Sequence, residues 1–139
     1  MRRLPLTVVL MLLLGGLVGC AADHRPKYVA PPLDTGQVAT ITGTKTLFAH
    51  YYIGEVDGAK VQDQGAMFYT AGSSVKVLPG ERRIRVFANT GGGQQGWTIT
   101  HRFLPGHKYL LGPSDKLGGM MGGGLVVKDR DTGEVTRVN

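Results

Sequence analysis

One cysteine, Cys20, stands in a chain of 139 residues. It has no partner for an intramolecular disulfide, so packing and strand pairing must hold the fold. Helical periodicity is also missing. No stretch keeps apolar residues at a sustained 3.6-residue spacing, and a single turn at 114–117 is the best helical candidate, which excludes a helix bundle or a doubly wound α/β domain. Serine occurs only at Ser73, Ser74 and Ser114, none inside G-x-S-x-G, so a nucleophile elbow is absent. A chain this short builds one small core, which excludes a large two-domain enzyme. Glycine, with 22 residues, is what the chain has in excess, and it calls for many turns.

Long apolar runs are absent except at the N-terminus. Arg2 and Arg3 precede the run Leu4–Leu14, which is followed by the small-residue stretch Gly15-Gly16-Leu17-Val18-Gly19 and Cys20. This is the three-part build of a secretory signal peptide, and the run is short of the ~20 residues a spanning helix needs. Leu17-Val18-Gly19-Cys20 resembles the bacterial lipobox, in which a small residue precedes a cysteine that is acylated on sulfur and becomes the new N-terminus. The resemblance implies a membrane anchor at Cys20. Two or three acyl chains hold a protein stably where one is marginal. In bacteria with two membranes an Asp after that cysteine signals retention at the inner membrane. Ala21 stands there instead, so the expected location is the outer membrane, facing the periplasm. Cleavage would leave 14 basic residues against 10 acidic, a net charge of +4.

Residues 1–19 are thus read as a lipoprotein signal peptide, and 20–36 as a lipidated N-terminus with a flexible, proline-containing linker. At ~3.1 Å per residue in extended form this linker would reach about 50 Å. Residues 37–139 are read as one all-β domain. Its candidate strands are 37–42, 47–54, 66–70, 74–78, 82–88, 96–104, 108–112, 124–128 and 134–138. Val75 and Val77 alternate with Lys76, and Ile84 and Val86 with Arg83 and Arg85, the pattern of strands with one buried and one solvated face. Asp57-Gly58 suits a primed hairpin turn, and Asp131-Thr132-Gly133 a bulged one. Pro79-Gly80 and Pro105-Gly106 fit turns with Pro second and Gly third. The fold class expected is a small antiparallel β-sandwich of about seven to nine short strands.

Three segments carry a family resemblance: Val56-Asp57-Gly58; Val75-Lys76-Val77-Leu78-Pro79-Gly80-Glu81-Arg82-Arg83-Ile84-Arg85-Val86; and Phe103-Leu104-Pro105-Gly106-His107-Lys108-Tyr109-Leu110. Together they resemble the PEGA-like family of small β-sandwich modules in bacterial envelope lipoproteins. The glycine stretches 91–96 and 118–124 depart from that pattern, and a literal Pro-Glu-Gly-Ala is lacking. The resemblance implies a structural or interaction role and supplies no catalytic residue.

Gly91-Gly92-Gly93-Gln94-Gln95-Gly96 spells G-x-G-x-x-G, yet Trp97-Thr98-Ile99-Thr100 follows as a strand pattern where the dinucleotide fingerprint needs a helix. A hairpin loop is the expected form. Asp129-Arg130-Asp131 resembles the start of a calcium loop but lacks its twelfth-position glutamate, so it reads as a charged turn. Of the histidines, His24, His50, His101 and His107 form no HxH or HxxxH pair, and no metal or cofactor is expected. His101 shares a strand face with Trp97, Ile99 and Phe103. It is either buried with a hydrogen bond or lines an aromatic pocket. Arg83 and Arg85, near Arg82, Lys76 and Lys108, form either a solvated face or a contact for anions: head groups, anionic glycolipid or peptidoglycan carboxylates. Nucleic acid does not suit an exported lipoprotein. Gly118–Gly124, with Met120 and Met121, is either a contact loop or a linker.

Two functions emerge. The first is a lipid-anchored, non-enzymatic envelope module that holds another envelope protein, peptidoglycan or an anionic glycolipid. The alternative is a periplasmic module that binds a small ligand around Trp97, His101 and Phe103.

Overall fold

Alternation of apolar and polar residues in short runs is what a two-layer β structure requires, and the computed structural model has that form. It describes residues 25–61, 74–114 and 124–138. Nine strands follow in chain order: β1 (Ala39–Gly43), β2 (Ala49–Val56), β3 (Ala59–Lys60), β4 (Ser74–Val77), β5 (Gly80–Thr90), β6 (Gly93–Phe103), β7 (Lys108–Pro113), β8 (Leu125–Asp129) and β9 (Val135–Val138). They make a four-stranded sheet of order β3-β2-β5-β6 and a five-stranded sheet of order β4-β1-β7-β8-β9. No helix occurs among the described residues. The fold is the β-sandwich that the alternation demands.

The inner faces supply the core. Ile41, Tyr51, Ile53, Ile84, Val86, Phe103, Leu111 and Val127 are all buried in one cluster. In β5 the sequence Ile84-Arg85-Val86-Phe87-Ala88 sends its first, third and fifth side chains inward and leaves Arg85 exposed. Burying that apolar surface, at ~25 cal/mol per Å2, is the main force holding the sheets together. Close approach also matters where β1 passes into β2. A side chain at Gly43 would collide with the backbone carbonyl of Tyr51, so only glycine fits.

Turn chemistry acts as the residues suggest at three places. Asp57 and Gly58 both take positive φ, 49° and 83°, the signature of a type I′ turn joining β2 and β3. Gly133 has φ 80° in the β8–β9 hairpin, where its N–H donates to the Asp129 carbonyl at 2.9 Å. Gly106, with φ 76°, follows Pro105 in a tight turn that carries the chain from one sheet to the other. Pro79-Gly80 differs: Gly80 (φ 107°) already opens β5, so this pair is the corner between β4 in one sheet and β5 in the other.

Four features depart from the sequence reading. β1 and β7 pair in parallel, Ile41 opposite Tyr109, because the chain passes through the other sheet before returning beside β1. β3 is a two-residue strand that no hydrophobic pattern could reveal. The glycine stretch at 91–96 is mostly strand: Thr90 pairs with Gly93, and β5 and β6 run on as a hairpin of two eleven-residue strands. The fourth is the segment before the domain, read as a free linker. Tyr28 N–H donates to the Lys60 carbonyl and Lys60 N–H to the Pro26 carbonyl, each at 2.8 Å. Its phenol then donates to the Lys76 carbonyl at 2.7 Å, so Tyr28 bridges the β3 and β4 edges. An aromatic ring with core to cover and unpaired strand edges to satisfy explains why the segment docks.

Cys20, His24, the strand expected at 66–70, and nearly all of the helical turn and glycine–methionine loop expected at 114–117 and 118–124 lie outside the described residues.

Candidate functional site

Strand alternation sets two faces against each other, and the more elaborated one is the outer face of the four-stranded sheet. Register places Lys27, Lys60, Glu55 and Arg85 in one row, since Lys27 pairs with Lys60, Lys60 with Glu55 and Glu55 with Arg85. Glu55 is the hub. Its Oε1 accepts from Arg85 Nη1 at 3.4 Å and from Arg25 Nη1, while its side chain keeps only 12% of its exposure. The Arg85 guanidinium also lies over the Phe87 ring, 5.1 Å from its centroid, a cation–π contact.

Phe87 lies flat because its neighbours are glycines. A Cβ on Gly54 would run into the Phe87 ring, and one on Gly96 would sit 3.2 Å from it. The ring therefore spreads across β2, β5 and β6, covering backbone that has no side chain of its own. Tyr52 stacks on it with centroids 5.6 Å apart, and Gln94 Nε2 donates to the Tyr52 hydroxyl. The face thus grades from cations at the β3 end to rings and amides at the β5–β6 hairpin.

Arg83 and Arg85 both point outward and are exposed. Arg83 uses its backbone N–H to bond Asp57 Oδ1 at 2.9 Å, and its side chain stands beside Thr100 of β6. Arg82, by contrast, is tied to the turn: Nη1 donates to Asp57 Oδ2 at 3.1 Å and Nε to the Leu78 carbonyl at 3.1 Å.

The three aromatic-pocket candidates do share the inner face of β6 but separate into two groups. Trp97 stacks on Tyr51, 6.0 Å between centroids. His101 packs edge-on against Phe103 at 4.8 Å and Tyr109 at 5.6 Å. Phe103 is 1% exposed and belongs to the core, so it offers no surface to a ligand. Burial lowers the His101 pKa, with Glu134 and Asp129 partly opposing the shift. His50, on the outer face, is lowered by burial and then by Lys45.

A third constellation was not foreseen as a unit. His107 Nδ1 meets Asp129 Oδ2 at 2.7 Å, and with Asp131 these groups bring ligand-type atoms within 4.8 Å of one another. Each carboxylate is already bonded. Asp129 Oδ1 accepts from the N–H groups of Asp131 (2.8 Å) and Thr132 (3.2 Å), and Asp131 Oδ2 accepts from Lys108 N–H at 2.8 Å. Burial pushes the Asp129 carboxyl up, but the His107 ring and the two N–H donors outweigh it and hold the pKa below the ordinary range. The arrangement closes the β8–β9 hairpin against the start of β7.

Arg25, Lys27, Glu55, Tyr52 and Phe87 were missed from sequence. The period-2 rule that flagged Arg83 and Arg85 extends to Phe87, and that signal could have found it. No family model matches the chain, and no curated protein or solved structure matches it either.

Proposed function

We propose that this chain is a lipid-anchored module of the bacterial envelope with a structural or interaction role and no catalysis of its own. The observation that carries the reading is the N-terminal sequence: Arg2-Arg3, an apolar run, and Leu17-Val18-Gly19-Cys20. Acylation of Cys20 confines the domain to a membrane, with Ala21 directing it to the outer membrane and the domain to the periplasm. Confinement to two dimensions raises the effective concentration of any partner in the same layer. The Arg83/Arg85 face supports an anionic partner, because the Arg85 guanidinium, held on Glu55 and Phe87, is presented with little conformational freedom left to lose, and Arg83 stands exposed beside it. The ligand-pocket alternative is not favoured, since Phe103 is inside the core.

Expression in a bacterial host with labelled palmitate tests the reading. The chain should carry label and fractionate with membranes, and Cys20→Ala should lose both. Label and membrane retention in Cys20→Ala would overturn the anchor.

A further inference from the structure

The docked N-terminal segment bears on which way the domain faces. Only 21–24 intervene between Cys20 and Arg25. At most ~3.6 Å per residue places Arg25 within about 18 Å of the acylated residue. Arg25 is held there by its ion pair with Glu55, and Lys27 by its isolated parallel bridge to Lys60. Lys27 falls in the same row as Lys60 and Arg85, and Arg25 reaches that row through Glu55, on the outer face of the four-stranded sheet.

Two guanidinium groups, Arg25 and Arg85, thus share the Glu55 carboxylate, and Lys60 and Lys27 extend the row beyond it toward the segment that leads to the anchor. Arg83 stands in the next row, and Arg102 lies opposite Glu81 beyond it. Beside this cluster Tyr52 and Phe87 present half-buried rings, an amphipathic phenol and an apolar ring that suit the boundary between water and acyl chains. Ionic attraction extends about 8 Å at physiological salt, so the face must come close to the lipid to be held, and the short connection brings it there.

We propose that the outer face of the four-stranded sheet lies against the anionic phospholipid head groups of the bilayer that holds Cys20. The inference rests on the acylation of Cys20 and names the partner of the Arg83/Arg85 face. Phospholipid is favoured over peptidoglycan or a distant glycan because Arg25 is fixed on the face while its reach from the membrane is short.

Acylation consumes the Cys20 sulfur, so an introduced cysteine is the sole free thiol of the acylated chain. Thr98→Cys marks the outer face of the four-stranded sheet and Lys128→Cys the outer face of the other; both positions are exposed strand residues. Each acylated protein is labelled with a fluorophore and reconstituted in phosphatidylglycerol-containing vesicles that carry nitroxide head groups. The Thr98→Cys label should be quenched at least about twofold more than the Lys128→Cys label, with the difference falling as salt screens the contact. Phosphatidylcholine vesicles should erase it, and so should Lys27→Glu combined with Arg85→Glu. Equal quenching of acylated protein, or stronger quenching at Lys128→Cys, would overturn the orientation and leave the anchor standing. Starting material without acyl chains that fails to enter vesicles would overturn both.

Discussion

The two outer faces of the sandwich carry cations of different kinds. On the four-stranded sheet they are mainly arginines, of which Arg25 and Arg85 are paired with Glu55 and Arg85 is laid on Phe87. On the five-stranded sheet the outward residues include Lys76, Lys108, Lys128 and Arg137 among Thr40, Thr42 and Leu110, and among the described residues none of those cations is in an ion pair. Basic charge alone therefore does not distinguish a built surface from a solvated one. What distinguishes them is order: a planar guanidinium held by a carboxylate and a ring keeps its geometry, whereas an ammonium on a free stem is strongly hydrated and mobile.

Both faces depend on one core, and the largest expected effect removes the contrast altogether. Phe103→Ala empties a site that packs against His101 and Tyr109, and should cost about 3–5 kcal/mol. Denaturant unfolding read by Trp97 fluorescence and by circular dichroism should show one coincident transition at lower midpoint. Two separated transitions would mean the sheets, and hence the faces, are independent units.

Acid should act on the sandwich in two steps. His101 and His50 have pKa values lowered in the folded state, so the unfolded chain binds their protons first. Stability should be full above about pH 6.5 and fall as the pH drops through the lower folded values. Asp129 works at more acid pH: its carboxyl is held down in the fold, so its contribution is present above about pH 4 and is lost as the pH falls through the folded value. Thermal melts across this range check the order, and Asp129→Asn should flatten the more acid step. A melting temperature insensitive to pH from neutral to strongly acid would refute both assignments.

The smallest effect sharpens the comparison most directly. Glu55→Gln removes the partner of Arg25 and Arg85 and should cost about 0.5–1 kcal/mol at low salt, less at high salt, as a partly exposed pair does. Lys128→Gln on the other face should change stability by under about 0.5 kcal/mol at either salt. Equal responses in urea titrations would show that the order on the arginine face has no energetic consequence.

How legible was this in the sequence? Period-2 runs at 74–78 and 82–88 located strands because each needs one buried face, and Asp57-Gly58 located its turn because the conformation needs positive φ. Sheet membership was not legible. Pro79-Gly80 and Pro105-Gly106 resemble hairpin turns in sequence, yet both carry the chain between sheets, since a turn fixes local direction and not the partner of the strand that follows. Arg83 and Arg85 were placed on an outward face correctly. The partner of Arg85 could not be, because Glu55 lies 30 positions away and meets it only through register, and Arg25 lies a further 30 positions from Glu55. Tyr28 was hidden for a similar reason, as its bond to Lys76 spans 48 positions.

That span has a consequence in time. Under the proposed export the chain would emerge N-terminus first, so Arg25–Tyr28 would reach the far side of the membrane before the residues it pairs with. Lys60 and Lys76 must arrive, and β3 and β4 must form, before Tyr28 has carbonyls and N–H groups to meet. Fastening of this segment therefore comes late in folding, after the long-range loops around it have closed. The bridge of Lys27 to Lys60 and the bond of Tyr28 to Lys76 are thus closing steps, which set the N-terminal segment against a sheet already made.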